Sequence, residues 1–458
     1  MARVYPFRAF RYQGEKAGTG LGNLVTQPYD KITPALQEHY YQASPYNLVR
    51  LILGRAEPGD NSARNVYTRA ANWLEEWTRA GVLAQDARPA FYPYFQEYTV
   101  PGARERRVRK GFIALGRIED YTAGVVHRHE LTHTGPKADR LELLRHTRTH
   151  FGQIFMIYSD PAGTVDKFLE ETTRAQDPQE VTDEFGAVHR LWSVPDPKRI
   201  ARLQELLADK KLIIADGHHR YETALAYRNE CRARLRPGSG GQASSGGTEE
   251  AEAPHEKVMM TFVNMEGPGV TILPTHRVVA NRKRFGFAAF REQVSAYFDW
   301  YSYPAEDQQK RVAACKRLLR DLAERGPERP SFGVCAAGEP ALYLFLLKRD
   351  VDLGALLPGV SARQRGLDLV VLHKLMLERG LGLDEEAVRE QKNISYVREA
   401  SDALAMVEAG KAQVAFLVNP IRVEQVREVA FSGEVLPQKS TDFYPKLLSG
   451  MTLYRLDI

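Results

Sequence analysis

The amino-acid sequence predicts an α+β protein with two domains. At 458 residues the chain is longer than one hydrophobic core usually supports. Short apolar runs with the length and β-branching of strands, such as Leu212–Ala215, alternate along the chain with amphipathic patterns of helical spacing. The hydrophobic fraction of 43% and the charged fraction of 26% are ordinary for a globular protein. We therefore expect an α+β domain over residues 1–280 and a second one over 281–458.

The N-terminal part predicts short strands and turns around one strong helix. We expect strands over 7–12, 47–53, 90–100 and 107–118 and a helix over 63–80. Arg50 lies among apolar neighbours in the second of these strands, and an arginine placed there usually has an anionic partner. Asp30 follows an extended Pro28-Tyr29 pair and either caps the next turn or faces a site.

A histidine-rich segment follows, in which His127, His129, Glu130 and His133 lie close together. In a strand, His127 and His129 point to the same face, which suits a metal, but no third ligand follows at a known spacing. Downstream, the residues Lys137, Asp139 and Arg140 introduce a helix over 141–150. Cations at a helix N-terminus favour an anion there.

The most informative segment begins with the buried strand Leu212–Ala215. Asp216 and Gly217 end the strand, and helical spacing begins near His219. A strand that leads into a helix presents free backbone N–H groups and the positive end of the helix dipole. Because Asp216, His218, His219 and Arg220 lie within five consecutive positions, we interpret the segment as an anion site with acid–base groups. In the simpler alternative, Asp216-Gly217 is only a turn and Glu222 only caps the helix.

Residues 236–255 have a low-complexity composition of glycine, serine and acidic residues, which predicts a flexible insertion. Strands are expected on its C-terminal side over 257–264 and 270–279, so the insertion is interpreted as a loop within the first domain. His276 and Arg277 form a third polar cluster near the end of the second of these strands.

The remaining chain predicts a further α+β unit. We expect helices over 287–298, 308–324, 367–378 and 421–429 and strands over 331–336, 341–348 and 410–419. The polar loop 437–446 contains Lys439, Ser440 and Thr441, which either hold a phosphate or belong to a plain surface loop.

Composition narrows the function classes. The net charge is +5, from 63 basic and 58 acidic residues, and this mild balance suits anionic small molecules as well as nucleic acid. Because the charges nearly balance and no basic helix-turn-helix stripe occurs, we do not expect nucleic acid as the partner. Three cysteines at wide spacing indicate reduced thiols. Neither a twenty-residue apolar segment nor a signal-peptide core is present. We therefore expect a cytoplasmic protein without membrane contact. Neither a GxxxxGK[ST] nor a GxGxxG motif occurs.

The whole chain resembles the DUF1015 family of uncharacterised proteins. Seven blocks carry this resemblance in order: Pro6-Phe7-Arg8-Ala9, Pro28-Tyr29-Asp30, Pro45-Tyr46-Asn47, Gly135-Pro136-Lys137-Ala138-Asp139-Arg140, Asp216-Gly217-His218-His219-Arg220-Tyr221-Glu222-Thr223-Ala224, Leu273-Pro274-Thr275-His276-Arg277 and Pro437-Gln438-Lys439-Ser440-Thr441.

The block Asp216–Arg220 also resembles the corresponding motif of free serine kinases, which have a ParB/sulfiredoxin-like fold. This resemblance implies that fold for residues 1–280, phosphotransfer to or from a small hydroxy amino acid such as serine, and ATP or ADP with Mg²⁺ as cofactors. Asp216 would be the base or a metal ligand, with His218 and His219 beside it. The kinases' catalytic glutamate lies in an N-terminal motif with no aligned counterpart here, and Glu130 and Asp30 are candidates for its role on their chemistry alone. The candidates for binding substrate or phosphate are Arg220, Lys137, Asp139, Arg140, His276, Arg277, Arg50, Asp30 and Lys439.

Three alternatives stay open at this point. A ParB-like nucleic-acid-binding protein or nuclease would show steeply salt-dependent DNA binding. A metal-dependent hydrolase built on His127, His129 and His218 or His219 would contain stoichiometric zinc. A metabolite-binding scaffold would bind nucleotide without turnover.

Overall fold

A computed structural model describes residues 1–130, 134–235, 253–282 and 284–456, with the side chains of 134–136 left out. The chain divides into two compact units. The first comprises Met1–Arg128, Thr132–Thr271 and Phe443–Ile458, and the second comprises His129–Leu131 and Ile272–Asp442. Each unit combines helices with its own sheet, so the α+β class is confirmed.

The strands, in chain order, are β1 (Val4–Tyr5), β2 (Phe10–Tyr12), β3 (Leu83–Gln85), β4 (Tyr92–Thr99), β5 (Arg106–Arg117), β6 (Val126–His127), β7 (Thr149–His150), β8 (Ile154–Tyr158), β9 (Gln179–Thr182), β10 (Val188–Leu191), β11 (Leu212–Asp216), β12 (Lys257–Asn264), β13 (Thr271–Leu273), β14 (His276–Val279), β15 (Phe298–Pro304), β16 (Ser331–Ala336), β17 (Ala341–Leu347), β18 (Ile394–Val397), β19 (Val414–Leu417), β20 (Asp442–Tyr444) and β21 (Tyr454–Arg455).

The helices of the first unit are Gly14–Ala17, Pro34–Ala43, Val49–Ile52, Val66–Arg79, Thr134–Thr147, Thr164–Thr173, Pro197–Leu207 and His218–Leu235. Those of the second unit are Phe287–Val294, Gln308–Arg325, Leu353–Leu356, Ala362–Arg365, Asp368–Val371, Glu385–Glu390, Ala400–Glu408 and Val423–Phe431. A π-helical segment, Leu372–Gly380, continues from Asp368–Val371. None of the described helices is long and apolar enough to cross a membrane.

The first unit is built on a nine-stranded sheet in the order β6-β11-β8-β12-β5-β4-β10-β9, with β1 added along β5. β8 is buried along its whole length, and β12 is buried at every residue after its first. The helix Val66–Arg79 begins at Asn65 with a capping box and buries Leu74 and Trp77 on one face, which is the amphipathic pattern that the sequence predicts.

The second unit is built on a six-stranded sheet in the order β15-β17-β16-β19-β14-β18. Hydrophobic clusters lie on its two faces. One cluster contains Phe290, Phe345 and Leu375, and the other contains Leu318 and Leu344. Because successive residues of a strand point to opposite faces, β17 supplies Leu344 to one cluster and Phe345 to the other.

The domain limits differ from the expected 1–280 and 281–458. His276–Val279 pairs with β18 and β19, which assigns it to the second sheet. Residues 443–458 return to the first unit, where Tyr454 pairs with His150. Strand pairing between residues far apart in the chain decides both points. The ParB/sulfiredoxin-like assignment stays a prediction.

One local prediction is corrected. The expected strand over 47–53 contains instead the short helix Val49–Ile52, and the Val49 N–H at its start donates to Asn47 Oδ1 at 2.9 Å. Of the expected flexible insertion 236–255, residues 236–252 lie outside the described residues. Its last residues enter the turn Pro254–Glu256, where the buried Glu256 pairs with Arg232 at 2.6 Å.

Candidate functional site

The candidate site of the first unit lies where β11 ends and the helix His218–Leu235 begins. β11 runs parallel to β6 and antiparallel to β8, with a bulge between Ile214 and Asp216. A bulge changes the direction of the side chains that follow it, and here it directly precedes the carboxylate. Farther along the helix, Tyr221 donates to Glu119 O at 2.6 Å and Arg228 donates to Ile118 O at 2.7 Å, which fixes the helix.

Two glycines allow the backbone to approach Arg220 closely. Gly217 has a φ of +90°, and a Cβ at this position would lie 2.8 Å from the Nε atom of Arg220. A Cβ on Gly152 would lie 3.2 Å from both Arg220 Nη1 and Ser449 Oγ. The Asp-Gly pair is therefore more than a turn, because the missing side chain makes room for the guanidinium.

Asp216 is surrounded by positive charge. Arg220 Nη2 donates to Asp216 Oδ2 at 2.9 Å, and Lys446 Nζ lies 3.5 Å from Asp216 Oδ1. Burial by itself would raise the pKa of Asp216, but the charges of Lys446, Arg220 and Lys31 outweigh burial and hold the pKa well below its usual value. About a quarter of the Asp216 side chain is exposed. The carboxylate thus stays ionised and accessible at physiological pH.

The segment that carries Lys446 is fixed by buried hydrogen bonds. Gln96 Nε2 donates to Lys446 O at 2.9 Å, and Arg109 Nη1 donates to Tyr444 O at 3.1 Å. Arg109 is fully buried against the ring of Phe155, and burial lowers its pKa to about 10. Lys446 itself is only 8% exposed, so its ammonium has little freedom to move away from Asp216.

Asp139 and Arg140 extend the site from the helix Thr134–Thr147. Arg140 donates from Nε to Asp139 Oδ2 at 2.8 Å and from Nη1 to Ile52 O at 2.6 Å. Its guanidinium lies 4.2 Å from the ring centre of Tyr29. Burial raises the pKa of Tyr29, Asp30 raises it further, and Arg220 and Arg140 oppose this rise. Tyr29 therefore lies next to charged residues of three segments, which contain Asp30, Asp139 with Arg140, and Arg220.

A small cleft of about 70 Å³ opens between these groups. It is lined by Tyr29, Ile52, Arg140, Leu143, Leu144, Thr149, His150, Phe151, Gly152, Arg220, Thr223, Val258 and Ser449. Thr223 is 4% exposed, and its Oγ1 is buried without a hydrogen-bond partner among the described residues. Burial lowers the pKa of His150 to about 4, so this imidazole is neutral at pH 7.

Other predicted residues of the first unit lie around this cleft or apart from it. Lys137 Nζ lies 3.6 Å from Glu222 Oε2, which links the helix Thr134–Thr147 to the helix that follows Asp216. His218 is buried at the first turn of that helix, His219 is half-buried, and Asp30 is exposed beside Tyr29.

Arg50 does not join this group. It stacks on Tyr41 at 4.5 Å, donates to Tyr41 O at 2.9 Å and lines a separate depression with Arg55 and Trp73. Its position in a short helix, rather than in the expected strand, gives it these neighbours.

Glu130, His276, Arg277 and Lys439 lie in the second unit. Arg277 is fully buried and donates to Lys439 O at 3.1 Å, while Glu130 Oε1 accepts the Lys439 N–H at 2.9 Å. His276 Nδ1 accepts the Val418 N–H at 3.2 Å, and burial lowers the pKa of His276 to about 4. His276 begins β14 rather than ending a strand, and its bond is structural.

The histidines considered for a metal have other hydrogen-bond partners in the structure. His127 Nε2 lies 3.2 Å from Gly124 O in the first unit, while His129 Nε2 lies 2.9 Å from Thr441 Oγ1 in the second. The expected strand with both rings on one face is a two-residue strand that ends at His127. Among the described residues, no group of three or more histidine, cysteine or acidic side chains is arranged to hold a metal.

Lys446, Lys31 and Tyr29 also belong to the candidate site, although no sequence pattern indicated them. Tyr29 lies in the block Pro28-Tyr29-Asp30, and Lys31 directly follows that block. Lys446 ends the polar loop 437–446, and the feature of the sequence that could have indicated it is its position directly after an aromatic-proline pair. A lysine that follows buried aromatic residues is held near the core, where it requires an anion.

Comparison with known proteins gives one family and several solved structures. The family described as "Protein of unknown function (DUF1015)" matches residues 4–370. No curated protein matches the chain.

Three solved structures are similar at low level. A free serine kinase in complex with AMP is 13% identical over 70% of this chain and 83% of its own, with a TM-score of 0.32. A conserved hypothetical protein from Pyrococcus furiosus is 12% identical over 70% of this chain and 87% of its own, with a TM-score of 0.32. C-terminally truncated SbnI from Staphylococcus aureus is 12% identical over 74% of this chain and 85% of its own, with a TM-score of 0.33. Similarity at this level does not establish a shared fold.

Proposed function

We propose that this chain, which belongs to the DUF1015 family of proteins of unknown function, transfers a phosphate group between a nucleotide and a small hydroxy amino acid. Serine is the preferred substrate in this proposal. The observation that carries this proposal is the surplus of positive charge around one accessible carboxylate. Lys446, Arg220 and Lys31 act on the single charge of Asp216. A site with such a surplus favours a polyanion such as a nucleotide phosphate.

Asp216 would orient the hydroxyl group of the amino acid. A carboxylate offers about four lone-pair positions, and Arg220 and Lys446 occupy one oxygen each. Because its pKa is held low, Asp216 is a weak proton acceptor. Phosphoryl transfer proceeds through a loose transition state in which positioning and charge stabilisation matter most, so a weak base is sufficient.

The adjacent cleft would hold the amino acid. Its volume of about 70 Å³ is well below the about 300–1,000 Å³ of sites for drug-sized ligands, which suits a small molecule such as an amino acid. Arg140 at the cleft would attract a carboxylate. The buried Thr223 Oγ1 would gain the hydrogen bond that it lacks among the described residues.

ATP or ADP and Mg²⁺ belong to this proposal through the motif resemblance. The cations beside Asp216 fit the phosphates of a nucleotide. Mg²⁺ commonly binds through one or two carboxylates together with substrate phosphates, so Asp216 alone is compatible with an ion that arrives with the nucleotide. When bound, Mg²⁺ would supply further neutralisation of phosphate charge.

The test incubates the purified protein with serine, Mg²⁺ and ATP or ADP and measures phosphoserine by ³¹P NMR, with the reverse reaction run from phosphoserine. Asp216→Asn keeps the side-chain shape and should lower turnover about a hundredfold or more. Asp209→Asn, an exposed change in the same unit, is the matched control and should leave turnover unchanged. Undiminished turnover in Asp216→Asn would refute the role of this residue. No phosphate transfer in either direction would refute the function.

A further inference from the structure

The second unit contains a cavity of about 240 Å³ that does not involve the residues of the phosphotransfer site. It lies beside the start of the helix Asp368–Val371 and the start of the helix Val423–Phe431. An engineered protein cavity of about 150 Å³ already takes up benzene, so this cavity has room for a ring or a branched aliphatic chain with a polar head group.

The wall of the cavity is largely apolar. Leu367, Leu369, Ile421 and Leu436 line it, and each is buried, with at most 9% of its surface exposed. Such a wall favours the apolar part of a ligand, because contact with it removes apolar surface from water.

Two opposite charges line the same cavity. Asp368 is partly buried and Arg422 is exposed. Within the described part of the chain, neither side chain lies within 4 Å of an oppositely charged group. Burial raises the pKa of Asp368 to about 7, and the positive charge of Arg422 opposes this rise. Asp368 and Arg422 thus act on each other only at longer range, and each can still take a direct ionic partner inside the cavity.

We propose that this cavity binds a free α-amino acid with an apolar side chain. Its ammonium group pairs with Asp368, its carboxylate pairs with Arg422, and its side chain packs against the leucine and isoleucine wall. An apolar amine would leave Arg422 without a partner, and an apolar carboxylic acid would leave Asp368 without one. A zwitterion satisfies both charges at once.

The test measures ligand binding to the full-length protein by calorimetry, with leucine and phenylalanine as probes. Two analogues of leucine are compared: 3-methylbutylamine lacks the carboxylate, and 4-methylpentanoate lacks the ammonium group. We expect saturable binding of the amino acids, and binding at least about tenfold weaker for each analogue.

Asp368→Asn and Arg422→Gln should each weaken leucine binding about tenfold or more, and Ala323→Leu should narrow the cavity and weaken binding as well. Arg422 and Ala323 are exposed, so these two variants test the proposal even if Asp368→Asn fails to fold. Asp216→Asn should leave leucine binding unchanged, which separates this site from the phosphotransfer site. Absence of binding at millimolar leucine, equal binding of the amine, or full binding in the Arg422 and Ala323 variants would overturn the proposal.

Discussion

Replacing Lys446 by methionine tests whether this buried lysine holds Asp216 in its ionised state. Methionine keeps most of the side-chain volume and removes the ammonium group, so the change creates little cavity. The Nζ–Oδ1 distance of 3.5 Å corresponds to an attraction of about 5 kcal/mol at an effective dielectric constant of about 20. Desolvation of the lysine reduces the net coupling free energy. The presence of Arg220 as a second partner of Asp216 reduces it further. We expect a coupling free energy of about 1–3 kcal/mol between Lys446 and Asp216.

A double-mutant cycle measures this coupling. The free energy of unfolding is determined in urea at pH 7 for Lys446→Met, Asp216→Asn, the double variant and the parent protein. A Trp300→Phe background confines tryptophan fluorescence to the first unit, because Trp73, Trp77 and Trp192 all lie there.

A second ion pair in the same unit provides the control. Lys210 Nζ also lies 3.5 Å from Asp209 Oδ1, but the Asp209 side chain is 73% exposed. The same cycle on this pair should give less than about 1 kcal/mol, because water screens the attraction. If the Lys446–Asp216 coupling is no larger than that of the control pair, burial does not strengthen the interaction and our account of the Asp216 pKa is wrong.

Two further predictions concern Gly217 and His276. Gly217→Ala should lower the free energy of unfolding by about 1–3 kcal/mol and reduce phosphotransfer, because it combines backbone strain at φ +90° with a contact of 2.8 Å to Arg220; Gly186→Ala, at φ +79° with nothing within 4 Å, should cost only the strain and keep the activity. His276 has a pKa of about 4 in the folded state and 6.5 in the unfolded state. Between these values the unfolded state binds more protons, so the free energy of unfolding falls by at most about 3 kcal/mol as the pH drops from 6.5 towards 4. His276→Asn retains an acceptor for Val418 N–H but does not titrate in this range. Urea unfolding at pH 7 and pH 4.5 should therefore show a smaller fall in the free energy of unfolding than in the parent, and equal falls would contradict the assignment. Comparing the two proteins cancels the opposite titration of Asp368 in the same unit.

The sequence by itself determined the α+β class and the local geometry of the strand end at Asp216. β11 and the helix that follows it are local structures, specified by a run of β-branched residues, an Asp-Gly break and helical spacing within about twenty residues. The helix Val66–Arg79 was predictable for the same reason, since its apolar face and its capping residue lie within one continuous segment.

Only the tertiary structure decided which charged groups share a site. Lys446 meets Asp216 across 230 residues of chain, and no periodic pattern in the sequence indicates such a partner. The same holds for His276, which resembled a site residue in the sequence but is buried in the second sheet as a hydrogen-bond acceptor for Val418. Local patterns follow from the geometry of a continuous backbone, whereas burial and charge pairing depend on strands brought together from distant parts of the chain. The sequence therefore shows which chemistry a charged residue can perform, whereas only the folded protein shows which partners it has.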